Sequence, residues 1–450
     1  MSSLTAVAGI ERHIRRVLDS RLEKTSGKPL VLGLSGGGDS VALALVAASW
    51  ARSHNRPLYF ITIDHGLNVD AAHWTDSCAA LAARLKVGFR QLTWQGDKPR
   101  TGIPAAARIA RHQLLANAAQ DLGATVIILG HTADDCAEAE VMRQTGSSTP
   151  DPTEWSPSPV WPEGRGLFLL RPMLEIRRCS LRQFLAARQE AWIEDPANEN
   201  LQFARSRARL ELISNPKPEP TRSSPTGLAA LAKKVTFENG FCLDRQALRE
   251  ASWATARMLI GRACLCAGGG SRPPRSARLD RLTDALRGND SQISTLVGCR
   301  VNADHDQVFW TRNSGDIRRI GHGQLPVETG LARVWDGRFE IVAKRPVTIV
   351  PLLGHGSSLS PAAKKRLRLL ARAARPSLPV ILGDPVTAPT LEATTDIRVT
   401  DLTWHRFLAA CGCLSREHAL GLTRDMSNTL DNRVGEARAQ QAGMVGTLHV

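Results

Sequence analysis

The chain has 450 residues, 42% of them hydrophobic and 22% charged, with a net charge of +15. That length implies two to four domains, and the absence of any apolar stretch of bilayer-spanning length argues against an integral membrane protein. The positive balance favours a polyanionic partner such as nucleic acid.

The opening segment, MSSLTAVAGIERHIRRVLDS, has no continuous apolar core of signal-peptide length. It reads as an amphipathic helix with Ile10, Ile14 and Val17 on one face. The nine cysteines are scattered and include no C-x-x-C. Cys264/Cys266 and Cys411/Cys413 are each separated by one residue, which is not a zinc or iron–sulfur frame. An odd cysteine count without a secretory signal points to a reducing, cytoplasmic setting.

From residue 29 strand and helix signals alternate. PLVLGL (29–34), LYFITID (58–64), VGFRQLTW (87–94) and TVIILG (125–130) read as buried strands. Between them SVALALVAASW (40–50), DAAHWTDSCAALAARL (70–85, with Asp70 as N-cap) and PAAARIARHQLLANAAQDLG (104–123) read as helices, followed by ADDCAEAEVMRQ (133–144). Repeated βα units predict an α/β fold, a doubly wound parallel sheet with helices on both faces.

Residues 145–166 are rich in Pro, Ser and Gly and are expected to form a long loop. Order returns at LFLLRPMLEI (167–176), and 178–213 is expected to be helical around an EDPANEN turn (194–200). The first domain is therefore placed at 1–213, with SNPKPEPTRSSPTG (214–227) as linker. A mainly helical domain follows at 228–325, with short strands near 293–303 and 307–312. A basic α+β domain is expected at 326–425 and a flexible tail at 426–450. The former carries a basic helix at 361–376, with Lys364, Lys365 and Arg368 among its cations.

The first strand runs into GLSGGGDS (33–40), nearly a P-loop spacing, but Asp39 stands where the lysine belongs. Glycines 36, 37 and 38 after a strand and before a helix let backbone N–H groups approach phosphate oxygens. Asp39 cannot lie bare against a phosphate, so a Mg²⁺ between them is expected. A dinucleotide fingerprint fails, since Val41 occupies its last glycine position.

SGGGDS (35–40) resembles the pyrophosphate loop of the N-type ATP pyrophosphatases, which adenylate a carbonyl oxygen and release pyrophosphate. Further segments resemble the tRNA(Ile)-lysidine synthase family in order across residues 30–212: IDHGLNVDAAHWTDSC (63–78), AARIARHQLL (106–115), GHTADDCAEAEVMRQ (130–144), FLLRPML (168–174) and EDPANENLQFARSRAR (194–209). TLVGCRV (295–301) and VWDGRFEI (334–341) are fainter echoes.

The resemblance implies that ATP adenylates the wobble cytidine of a CAU-anticodon isoleucine tRNA and that free L-lysine then displaces AMP. It implies an ATP site at Ser35, Gly36, Gly37, Gly38, Asp39 and Ser40, with Asp64, His65 and His131 at the same rim, and Asp39 holding the metal. Asp135 and Glu138 would take the lysine amine, and Arg111 would face the AMP phosphate or developing charge. Asp134, Arg108, Arg205, Arg207 and Arg209 are assigned to substrate or tRNA, with Lys364, Lys365 and Arg368 gripping the tRNA body. A homodimer is compatible with the sequence.

Read without the resemblance, Asp134 is an acid favoured by a helix dipole, and Arg108 with Arg111, or 205–209, is an ordinary solvated face. The sequence departs from the family pattern at Thr132, Cys136, Ala139 and His112, and in the QTGSSTPDP run. Three rivals stand beside the lysidine ligase: a tRNA thiolase using Cys136, a tRNA-binding protein with a degenerate site, and a small-molecule amide ligase, against which the basic helix and the large C-terminal half argue.

Overall fold

The computed structural model describes residues 3–66, 71–96, 98–99, 101–145, 152–195, 204–214, 227–320, 324–383, 386–392 and 394–420. Asp70, most of the EDPANEN turn, all but the ends of the 214–227 linker and the 426–450 tail lie outside them. The chain divides into two compact units, one within residues 1–223 together with 415–420, the other within 224–414.

The first unit is built on strands β1 (Leu30–Gly33), β2 (Leu58–Asp64), β3 (Gly88–Thr93), β4 (Val126–Ile128), β5 (Trp155–Pro157) and β6 (Phe168–Leu170). Its helices are α1 (Ser3–Arg21), α2 (Gly38–Ser53), α3 (Ala71–Leu85), α4 (Ile103–Asp121), α5 (Ala133–Gln144), α6 (Arg178–Ala187) and α7 (Ala204–Ser214). The sheet order is β3-β2-β1-β4-β6-β5. All pairings are parallel except β5 with β6. This is the expected doubly wound sheet.

β1 and β4 carry apolar residues on both faces because helices cover both sides of a parallel sheet. Leu30, Val31, Leu32, Val126, Ile127 and Ile128 are at most 1% exposed, each contributing about 1.5–3 kcal/mol by burial. β1 has β2 on one side and β4 on the other. The strand order therefore reverses between β1 and β4, where open α/β sheets form their ligand crevice. The residues following both strands become the rim of that crevice.

Helix ends follow local signals. Pro104 lies in the first turn of α4, and Gly123, at φ +75°, follows its end. On α1, Ile14 and Val17 are buried and Ile10 is half-buried, as the periodicity predicts. The 145–166 stretch is not all loop: residues 155–157 form the edge strand β5. Pro157 is tolerated there because an edge strand needs only one side of its hydrogen bonds.

In the second unit, the helices expected over 228–325 are accompanied by a larger sheet than the two strand regions read there. Residues 228–320 contain α8 (Leu228–Ala232), β7 (Thr236–Phe237), β8 (Phe241–Asp244), α9 (Arg245–Glu250), α10 (Trp253–Ala267), α11 (Ser276–Arg287), β9 (Gln292–Leu296), β10 (Cys299–Ala303), β11 (Gln307–Arg312) and α12 (Ser314–Ile320). The strands form an antiparallel sheet, β7-β8-β11-β10-β9. β7 and β8 are too short to show an alternating pattern, so the helical signal around them dominates the sequence reading.

Residues 325–410 add β12 (Leu325–Val327), β13 (Arg333–Trp335), β14 (Phe339–Ala343), β15 (Val347–Pro351), α13 (Pro361–Leu369), β16 (Pro379–Ile381), β17 (Ile397–Asp401) and α14 (Thr403–Ala410). Two three-stranded sheets, β12-β15-β16 and β13-β14-β17, share a core around Trp335, Phe339 and Ile349. The basic helix is shorter than expected: α13 stops at Leu369, and Arg375 turns back onto the carbonyls of Leu370 and Arg368. No described helix is long and apolar enough to cross a membrane.

Candidate active site

The glycine loop joins β1 to α2. Gly36 has φ +82°, and a Cβ there would lie 2.4 Å from Ile193 Cδ1. The left-handed backbone therefore demands glycine, and Ile193 would have to shift to admit any side chain. Ile193 N donates to Gly36 O at 3.0 Å, and the Trp192 ring backs Gly38. Ser40 Oγ donates to Gly37 O at 2.9 Å and accepts from Ser35 N at 3.3 Å. The loop is thus held by its own serine and by the Trp192–Ile193 segment, which the sequence reading did not single out. Gly130, ending the β4 strand signal, brings its backbone against Ser40: a Cβ there would lie 3.3 Å from the Ser40 Cα.

Asp39 sits in the first turn of α2 and Asp134, Asp135 and Glu138 in the first turns of α5. One Asp135 oxygen, Oδ2, accepts from the Thr132 N–H at 2.6 Å and from its hydroxyl at 3.0 Å. This reciprocal cap leaves Oδ1 directed at arginines. Asp134 Oδ2 accepts from the backbone N–H of Arg178 at 2.7 Å. Through this oxygen it anchors the start of α6.

Arg178 joins the rim acids. Its guanidinium donates to Asp39 at 3.0 Å, Glu138 at 3.2 Å and Asp135 at 3.3 Å. The three carboxylates push its pKa above the ordinary arginine value against the opposing effect of burial. Sequence reasoning missed it. The available signal was an arginine pair seven residues after Arg171, past a strand ending at the same edge. Burial pushes the Asp39 carboxyl up, against the pull of Arg178.

Arg205 donates to Glu138 at 2.7 Å and to Asp135 at 2.7 Å, and Arg209 donates to Glu138 at 2.6 Å. Glu138, 1% exposed, thus receives three guanidinium groups. Arg207 is exposed on the same helix.

Beside these acids lies a cationic group. Arg111 is held down to about 10 by burial and by Arg108 and Arg205, and Arg171 down to about 10 by burial and by Arg108 and Arg111. His131 is pushed well below its ordinary value by burial and the same arginines. Arg111 Nε, His131 Nδ1 and His65 Nδ1 are buried with no hydrogen-bond partner among the described residues. Buried donors and acceptors of this kind are costly unless a ligand or water satisfies them. Clustered cations and orphaned polar atoms beside a glycine loop suit a polyphosphate. Asp64 is otherwise engaged, accepting from the Gly66 N–H at 2.7 Å.

Lys364, Lys365 and Arg368 lie in the second unit on α13, where Lys364 Nζ donates to Ser357 O at 2.7 Å and the other two are exposed. Among the described residues no group of three or more His, Cys, Asp or Glu side chains is arranged to hold a metal ion.

The sequence of residues 10–215 matches the PP-loop domain family. A tRNA(Ile)-lysidine synthase from Caulobacter vibrioides is 42% identical over 90% of this chain and 98% of its own length.

The chain belongs to the tRNA(Ile)-lysidine synthase family.

Relatives of the same name from Hyphomonas neptunium and Rhizobium meliloti are 33% and 31% identical, over 64% and 71% of this chain and 83% and 74% of theirs. A U34-tRNA thiolase from Methanococcus maripaludis is similar over 46% of this chain and 74% of its own, at 14% identity and a TM-score of 0.38, too loose a likeness to carry an argument.

Within a lysidine synthase framework the departures become packing features. Thr132 is fully buried as the α5 cap, and Ala139 is buried on the same helix. Cys136 is buried, its thiol donating to Thr132 O at 3.4 Å, so it is not presented as a sulfur nucleophile. His112 replaces an aromatic residue and is 3% exposed. Burial and the neighbouring Arg111, Arg108 and Arg171 push it down to about 2, so it serves as a neutral ring.

That has a pH consequence. His112 and His131 are neutral when folded and protonate near pH 6.5 when unfolded. Their contribution is complete above pH 6.5 and declines as pH falls below it, since the unfolded chain then binds more protons. Together they should remove about 2 kcal/mol between pH 6 and pH 5. Urea unfolding at these pH values should show His112→Leu losing about 1 kcal/mol less than the parent; equal losses would locate the acid sensitivity elsewhere.

Proposed function

We propose that this chain is an ATP-dependent ligase that converts the wobble cytidine of a CAU-anticodon isoleucine tRNA to lysidine, using free L-lysine. The observation that carries this reading is the pairing of two opposite environments at one rim. Asp135 and Glu138 form an anionic pocket suited to an ammonium group, and Arg108 and Arg111, with the neutral His131 ring beside them, form a cationic one suited to phosphate. A ligase joining an amine to an adenylated carbonyl needs both, side by side.

The chemistry assigns the parts. The glycine loop and the α2 N-terminus receive the β- and γ-phosphates. The cytidine C2 carbonyl oxygen attacks the α-phosphorus and pyrophosphate leaves. The lysine ε-amine, having given up a proton, then attacks C2, and the C2–O bond breaks to release AMP. Arg111 faces the phosphoryl group and stabilises its charge where water is excluded. Asp135 and Glu138 orient the amine, whose proton passes to water.

Mg²⁺ commonly takes one or two protein carboxylates and draws its other ligands from water and substrate phosphates. Asp39, partly exposed in the first turn of α2, fits as that single ligand, its Oδ2 bonded to Arg178. The ion would supply neutralisation of the polyphosphate. The net charge of +15 and the exposed cations of α13 support tRNA as the macromolecular substrate.

The test is AMP release from labelled ATP with lysine and a CAU-anticodon isoleucine tRNA, omitting each in turn. AMP is expected only when both are present, with the tRNA gaining the mass of lysine less water. AMP formation that proceeds to product without lysine would point to another nucleophile, and tRNA binding without AMP to a degenerate enzyme.

A further inference from the structure

The acidic pocket is filled by the protein's own side chains. Glu138 accepts from Arg178, Arg205 and Arg209, and Asp135 Oδ1 from Arg178 and Arg205. An ammonium ion entering this pocket competes with a guanidinium, because all but one of the acceptor positions of the two carboxylates carry hydrogen bonds within the described residues. Arg178 is fixed to α6 and shared with Asp39. Arg205 is different: its side chain is 41% exposed and it comes from α7.

Arg205 also stands on the border of the cationic group. It is among the charges that push Arg108, Arg111 and His131 down. It is therefore attracted by Asp135 and Glu138 on one side and repelled by Arg108 and Arg111 on the other. An anion placed among Arg108, Arg111 and His131 reverses that second force. The same anion offers oxygens that match an arginine fork.

We infer that Arg205, backed by Arg209, is an internal occupant of the ammonium pocket that a bound polyphosphate draws away, so that nucleotide binding opens the site for the amine. This rests on the lysine reading above. Arg205 is then a positioning residue that sets an order of binding, nucleotide before amine. The two ligands must be positively coupled, each tightening the other by the same factor.

The test is lysine binding to the full chain by isothermal titration calorimetry, with and without Mg²⁺ and the non-hydrolysable α,β-methylene-ATP. The analogue should tighten lysine binding at least tenfold in the parent. In Arg205→Ala the nucleotide-free affinity should rise towards the nucleotide-bound value, and the coupling should fall below about threefold. Arg205→Lys should retain the coupling, since it keeps the cation. Glu138 keeps Arg178 and Arg209 in these variants, so a melting curve near that of the parent is expected and is measured alongside. Equal lysine affinity with and without the analogue in the parent would overturn the inference. So would Arg205→Ala weakening lysine binding in both conditions, or no measurable lysine binding with the analogue present. Lysine-dependent AMP release is recorded on the same preparations. If it persists while coupling is absent, only the inference fails; if turnover does not need lysine, the ligase reading fails too.

Discussion

Asp39→Ala is expected to lower AMP formation by roughly 10³-fold or more while shifting the melting temperature by no more than a few degrees. Asp39 is the only acid of the glycine loop, in the first turn of α2 and bonded to Arg178 at 3.0 Å. Under the proposed function, removing it takes away the loop carboxylate that would hold a cation against the polyphosphate. The fold should tolerate the loss because Arg178 retains Asp135 and Glu138 as partners. Asp39→Asn separates charge from shape: it can still accept from Arg178 but cannot neutralise a metal ion. Steady-state AMP release, with circular dichroism melting as the control, decides the matter. Turnover within tenfold of the parent in Asp39→Ala would remove Asp39 from the machinery.

Glu417→Ala should cost the first unit about 3–5 kcal/mol of stability. Glu417 belongs to the 415–420 segment, which packs into the first unit although it lies late in the chain. Its carboxylate accepts from Arg56 at 3.0 and 3.2 Å and from the Glu23 N–H at 2.8 Å. The Arg56 side chain is fully buried, and it also donates to the carbonyls of Lys28 and Glu23. Without Glu417 a guanidinium is left charged in the interior with no counter-charge, and that penalty exceeds the worth of the pair itself. For a unit of this size the melting temperature should fall by about 10 °C. Replacing both partners by leucine should recover much of the loss, because no unpaired charge remains. Urea unfolding followed by tryptophan fluorescence measures both. A Glu417→Ala variant within 1 kcal/mol of the parent would show that the buried pair contributes little.

The sheet was legible in the sequence because its strands are short apolar runs bounded by glycine, and its helices carry clean start and stop residues. β1, β4, α4 and α5 form within two residues of their expected bounds. The glycine loop was legible for a stronger reason: Gly36 adopts φ +82°, a conformation that side-chain-bearing residues rarely take. β7, two residues long, was not legible, and β8, as long as β1 but without its unbroken apolar run, was absorbed into the helical signal around it.

What the linear sequence determined about this protein is therefore local: which segments become strands, where phosphate-approaching backbone must lie, and which carboxylates share a helix face. Only the tertiary structure decided which charges meet. Arg178 lies 139 residues from Asp39 and 40 from Glu138, and Arg205 lies 67 from Glu138. Glu417 lies 361 from Arg56. No periodicity links such pairs, since the distance between them is set by how the chain crosses the sheet and returns. Asp134 shows the same limit: its sequence position suits a helix-start acid, and only the fold brings the Arg178 backbone N–H against it.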